Sequence, residues 1–98
     1  MNVAREIRLQ LGGHRFQIMT GAKDFVSSDH SLTFRLPGSL TRDRINLVKI
    51  TLSPSDTYAL KFYRVRGIES KLISEIDMIY ADKLVEIFER YTGLATKL

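Results

Sequence analysis

Thr20-Gly21-Ala22-Lys23 is the stretch of this chain whose residue types most invite a chemical reading, since amides around a glycine and a nearby lysine can hold an anion. The full Gly-x-x-x-x-Gly-Lys-Ser/Thr pattern is absent, and no clear helix follows to aim its N-terminus at a phosphate. The segment therefore reads as a structural turn. His14 and His30 are the only histidines, and Asp29 beside His30 is the only ligand-type neighbour at short spacing. Zinc needs three or four convergent ligands, so neither a metal site nor another cofactor is expected. Ser27, Ser28, Asp29 and His30 contain the groups of a hydrolase, but such groups must converge in a pocket. Here they read as loop-capping residues, and the chain is expected not to be an enzyme.

A third set of residues points to binding. Arg15, Arg35, Lys49 and Lys61 could neutralise phosphates, and Tyr63 could stack a base, provided that the fold gathers them on one surface. Charge is distributed in keeping with this. Residues 1–67 hold eleven basic and five acidic side chains (+6), whereas residues 68–98 hold four basic and six acidic ones (−2).

The elements that would position these groups begin with Asn2–Gly13. Val3, Ile7 and Leu11 share a helical face, Asn2 can cap the first turn, and Gly12-Gly13 supplies a stop. His14–Thr20 alternates, with Phe16 and Ile18 on one side and Arg15 and Gln17 on the other, and predicts a half-buried strand. Ala22–Ser31 reads as a connection pinned by Phe25 and Val26. Ser31–Leu36 is a second strand with Leu32, Phe34 and Leu36 inward, closed by Pro37-Gly38.

Ile45–Gly67 predicts a β-hairpin in detail. Val48, Ile50 and Leu52 share one face of one strand, and Tyr58, Leu60 and Phe62 one face of the next. Opposed residues of an antiparallel pair share a face, so a five-residue loop, Ser53–Thr57, pairs Leu52 with Tyr58, Ile50 with Leu60 and Val48 with Phe62. The same register sets Lys49 against Lys61 on the outer face, with Leu47 opposite Tyr63 and Ile45 opposite Val65. Ile68–Ile76, with Leu72, Ile73 and Ile76, reads as either a short edge strand or an irregular crossing, the strand being preferred. Tyr80, Leu84, Ile87, Phe88 and Tyr91 then recur at helical spacing within Asp77–Thr92, with Asp77 as N-cap and Gly93 as stop.

The expected architecture is α+β: one domain over residues 1–98, an antiparallel meander of four or five strands, and an N-terminal and a C-terminal helix packed on one face. Ninety-eight residues, 44 % of them hydrophobic and 27 % charged, suit a single core. The chain has no cysteine, so disulfides and thiolate ligation are excluded. The sequence contains no membrane-length apolar run, and Met1–Glu6 lacks the apolar region of a signal peptide; a cytoplasmic location without membrane association is expected.

Leu11-Gly12-Gly13-His14-Arg15-Phe16, Met19-Thr20-Gly21-Ala22-Lys23-Asp24-Phe25, Leu32–Pro37, Ile45-Asn46 with Ile50-Thr51-Leu52, Asp56-Thr57-Tyr58, Arg66-Gly67, Tyr80-Ala81-Asp82 with Leu84, and Thr92-Gly93-Leu94, taken together, resemble a family of short hypothetical proteins encoded by bacteriophages and mobile elements. The resemblance spans nearly the whole chain and is most distinctive at Met19–Lys23. It implies a phage or prophage origin and the cytoplasm of a bacterial host, and it carries no catalytic residues. The expected function is that of an accessory protein binding nucleic acid through Arg15, Arg35, Lys49, Lys61 and Tyr63. The alternatives are a module that engages a host or phage protein, such as an inhibitor of host defence, and a purely structural domain whose basic face is only solvated.

Overall fold

The structure is a computed structural model and describes residues 2–96. Helix α1 (Val3–Leu11) opens the chain, with the Asn2 side chain accepting from the Arg5 amide at 3.0 Å. It buries Val3, Ala4, Ile7 and Leu11, the face anticipated from their spacing. Gly12 and Gly13 both adopt positive φ, 124° and 62°, and this pair reverses the chain directly into a second helix, α2 (His14–Thr20).

The expected strand over His14–Thr20 is thus replaced by a helix. The seven-residue segment fits either period, Phe16 and Ile18 two apart suiting a strand and Phe16 and Thr20 four apart suiting a helix, and the two readings differ in where Ile18 must go. Phe16 is fully buried while Ile18 is 67 % exposed, and the buried partner of Phe16 is Thr20, one helical turn on. Arg15 and Gln17 leave the sheet with this change. Gln17 instead accepts a hydrogen bond from Arg8 Nη2 at 2.5 Å, which ties α2 to α1.

The sheet has five antiparallel strands in sequential order: β1 (Lys23–Ser27), β2 (Ser31–Arg35), β3 (Leu47–Leu52), β4 (Tyr58–Arg66) and β5 (Glu69–Ile79). Strand β1 lies where a connection was expected. A bulge conceals it in the sequence: Lys23 pairs with Arg35 and Val26 with Thr33, so β1 carries one extra residue, and Asp24 takes φ 56° to accommodate it. Phe25 consequently faces the core, whereas Val26 turns to solvent rather than pinning the segment. Pairing of β3 with β4 has the predicted register at every position from Leu47↔Tyr63 to Leu52↔Tyr58.

Strand β5 is present and longer than expected. It runs through Asp77, so the last helix does not start there and Asp77 caps nothing. A 3-10 turn over Ala81–Lys83 leads into helix α3 (Leu84–Thr92), and Tyr80, assigned to the helical stripe from its spacing, is exposed. Residues Leu84, Ile87, Phe88 and Tyr91 do form the packed face of α3.

All three helices contribute to one core on one side of the sheet. Phe16 meets Phe34 edge-on at 5.4 Å and Phe88 at 5.1 Å, and Phe62 stacks on Tyr91 at 5.2 Å with the rings 3° from parallel. Val48, Ile50, Leu60 and Phe62 form the floor beneath them. The α+β meander with helices at both ends is therefore the observed fold, and no element among the described residues covers its second sheet face. Ile45, expected on that outer face, is instead 1 % exposed in the core, because the chain before β3 turns inward through two 3-10 turns at Gly38–Leu40 and Arg42–Arg44.

Candidate functional site: the open sheet face

The uncovered face is organised in cross-strand rows fixed by the register. One row runs Lys23, Arg35, Leu47, Tyr63, Leu72 from β1 to β5, and the next runs Val26, Thr33, Lys49, Lys61, Glu75. Strands stand about 4.8 Å apart, so each row crosses the sheet as a line of side chains, and successive rows are separated by two residues of rise. A second bulge, in β5 between the pairs Phe62↔Ser74 and Tyr63↔Leu72, gives Ile73 to the core side while keeping Leu72 and Glu75 outward.

Of the residues singled out for binding, Arg35, Lys49, Lys61 and Tyr63 share this face. Arg15 does not, since α2 packs against Phe34 and Phe88 on the opposite side of the sheet. Lys23 takes its place, directly across from Arg35. Two of the four cations have carboxylate partners: Arg35 Nε lies 3.9 Å from Asp24, and Lys61 Nζ lies 3.4 Å from Glu75. The opposition of Lys49 and Lys61 is thus relieved by the next strand. Lys49 and Lys23 complete the positive charge, and Leu47, Tyr63 and Leu72 make a half-exposed apolar band through it.

The other sequence candidates resolve into structural roles. Thr20 and Gly21 end α2: Thr20 Oγ1 donates to the Phe16 carbonyl at 2.7 Å and accepts from the Ala22 amide at 3.2 Å, and Gly21 adopts φ 75°. A helix C-terminus presents carbonyls and negative potential, which disfavours an anion there. Ser27–His30 forms the tight β1–β2 connection, held by the Ser28 amide on the Ser31 carbonyl at 3.0 Å and by contact between the Ser28 and Ser31 hydroxyls. The His30 carbonyl accepts from Leu52 at 2.8 Å, while the side chains of Asp29 and His30 are exposed. Among the described residues, no three His, Asp or Glu side chains gather at one point. The pKa of the Tyr58 phenol is raised above its ordinary 10.0 by burial first and then by the negative charges of Glu6 and Asp56.

A second basic cluster escaped the sequence reading. Arg44, Arg64 and Arg66 line one pocket with Gly38 and Asn46. The signal lay within the hairpin register, for continuing it beyond Leu47↔Tyr63 by three steps brings Arg44 to the level of Arg66. Comparison with known protein families, with curated proteins and with solved structures found no match to this chain.

Proposed function

We propose that the protein is a non-enzymatic accessory protein of a phage or mobile element that binds single-stranded nucleic acid across its open sheet face. The observation that carries this reading is the row pattern: Tyr63 lies in an uncovered flat surface, with Lys49 and Lys61 one row away and Lys23 and Arg35 along its own row. A partly exposed ring flanked by cations suits an unstacked base with phosphates on either side. A flat sheet with no projecting helix suits a single strand better than a duplex groove. The phage or mobile-element origin rests on the resemblance of the Met19–Lys23 segment and its companions.

The reading is tested by titrating single- and double-stranded DNA and RNA over a salt series. Single strands should bind most tightly, affinity should fall as salt rises, and Lys49→Glu with Lys61→Glu should abolish most of the binding. Absence of single-strand binding at low salt would end this proposal.

One observation favours a second reading. Leu47, Tyr63 and Leu72 form a continuous apolar band, with Val65 beside it, and interface centres favour such anchors. This would be the docking surface of a module acting on a host or phage protein, such as an inhibitor of host defence. Under that reading Tyr63→Ala removes partner binding, while Lys49→Glu changes mainly its rate of formation.

A further inference from the structure

The pocket between the β2–β3 connection and the end of β4 is built from unusual parts. Its volume is 210 Å³, and its lining is Gly38, Arg44, Asn46, Arg64 and Arg66. Three of these five residues are arginines. The ion pairs among the described residues are Arg35–Asp24, Lys61–Glu75 and Arg90–Glu86, so none of the three arginines belongs to one. The charged groups around the pocket are Lys71, which pairs with Arg64 across β4–β5, Glu69, which pairs with Arg66, and Asp43, which borders the adjoining depression with Arg64 and Lys71.

The pocket wall is fixed before any ligand arrives. Asn46 holds the β4 backbone from both sides, its Nδ2 donating to the Val65 carbonyl at 2.9 Å and its Oδ1 accepting from the Val65 amide at 2.7 Å. The Asn46 amide also donates to the Tyr63 carbonyl at 3.0 Å. Thr41 Oγ1 closes the loop on the Ile45 carbonyl at 2.6 Å, and the buried Ile45 side chain anchors it. Asp43 and Arg44 are held in succession at φ 54° and 56°. Two adjacent non-glycine residues in the left-handed region are costly, and such conformations concentrate where a side chain must be aimed at a ligand.

We infer that this pocket binds a phosphate group. Guanidinium forks match phosphate oxygens in pairs, and an anion relieves the repulsion among three adjacent arginines. At 210 Å³ the pocket falls below the roughly 300–1,000 Å³ of sites for drug-sized ligands, so it takes one phosphate rather than a whole nucleotide. Arg64 and Arg66 alternate along β4 with Tyr63 and Val65, which places the pocket on the opposite side of that strand from the open-face rows. The inference therefore stands apart from the nucleic-acid reading of that face.

Titration with inorganic phosphate at low ionic strength, followed by amide and arginine side-chain NMR shifts, tests it. Saturable shifts should centre on Gly38, Asn46 and the three guanidinium groups. Arg64→Gln with Arg66→Gln should weaken binding by at least about tenfold, the equivalent of one lost charge-assisted hydrogen bond. Lys49→Glu with Lys61→Glu should leave phosphate binding in place. Arg44→Gly provides the discriminating variant: it relaxes the positive φ, so the melting temperature should rise while phosphate affinity falls. A merely structural Arg44 would alter stability and leave phosphate binding unchanged. Comparing 5′-phosphorylated with 5′-hydroxyl oligothymidylate identifies the source of the group, because a gain that disappears in the Arg64/Arg66 variant assigns it to a nucleic-acid end. No saturable shift at the pocket, or shifts that persist in the Arg64/Arg66 variant, would overturn the inference.

Discussion

Glu75 should act as a brake on binding at the open face, and its removal gives a test with an unusual sign. Its carboxylate lies 3.4 Å from Lys61 Nζ, with both side chains about half exposed, at 52 % and 45 %. The register places Glu75 opposite Lys61 and Lys61 opposite Lys49, so this one acid offsets one of two facing cations. Glu75→Gln removes the offset and keeps the shape. Folding should change by less than about 1 kcal/mol, the scale of a surface ion pair. Binding should respond more. Each phosphate neutralised on a single strand contributes roughly −0.7 to the slope of log affinity against log salt, so one released lysine should steepen that slope by about 0.7. A fourfold rise in salt would then weaken the variant by an additional factor of about 2.6 relative to the parent, from a higher affinity at low salt. Fluorescence anisotropy with a labelled oligothymidylate reads both quantities. Weaker low-salt binding by Glu75→Gln, or an unaltered slope, would refute the assignment of Lys61 to phosphate contact.

Four further outcomes are expected. Phe16→Ala should cost about 3–5 kcal/mol in denaturant unfolding, since Phe16 is fully buried against two aromatic rings, whereas Ile18→Lys should lie within about 0.5 kcal/mol of the parent; a large loss at Ile18 would contradict α2. Asn46→Ala should cost about 1–3 kcal/mol and release the hydrogen-exchange protection of the Val65 amide, which its carbonyl accepts at 2.7 Å. Gly93→Ala should lower stability by about 1 kcal/mol or more, because φ is 76° and the added Cβ would stand 3.0 Å from Arg42 Cγ; Arg42→Ala should recover only the contact part of that loss. The Tyr58 phenol should titrate above 10.0 in the folded protein, read as the ultraviolet absorbance change that Tyr58→Phe removes. The unfolded chain therefore loses this proton first, so the contribution of Tyr58 to stability should be constant below about pH 10 and fall as pH rises from there, a fall that Tyr58→Phe also removes.

The sequence made some elements readable and concealed others for reasons visible in the residues. Strands β3 and β4 alternate without interruption around a five-residue loop, so matching apolar rows allow a single register. Every element that was misread contains an irregularity or a double meaning. The extra residue at Asp24 breaks the alternation of β1, and β5 departs from regular pairing twice, once with Met78 at φ 59°. Ile76, Tyr80 and Leu84 stand four apart in the sequence, which imitates a helix, yet the first belongs to β5 and the last begins α3. His14–Thr20 is too short for two apolar side chains to decide between periods. The decisive constraint is tertiary: Phe16 must reach Phe34 and Phe88 immediately after the Gly12-Gly13 reversal. Four of the five candidate residues share the open face, because three of them belong to the hairpin and the fourth, Arg35, to a regular strand.

Thr20-Gly21 and Thr92-Gly93 turn out to be one device used twice. Thr92 Oγ1 donates to the Phe88 carbonyl at 2.8 Å and accepts from the Leu94 amide at 3.2 Å, repeating the bonds of Thr20, and the two glycines have φ values of 75° and 76°. In each case the residue four before the threonine's partner amide is displaced by two from a core phenylalanine: Phe16 precedes Thr20 by one turn, and Phe88 precedes Thr92 by one turn. The cap thus sets the direction in which the chain leaves a helix whose phenylalanine has just entered the core. After α2 it sends Lys23 to the open face, and after α3 it brings Gly93 against Arg42, next to the strained Asp43-Arg44 turn of the phosphate pocket. Within the segment most suggestive of anion chemistry in the sequence, Thr20-Gly21 is accordingly a helix stop, and its contribution to binding is to deliver Lys23 to the open face.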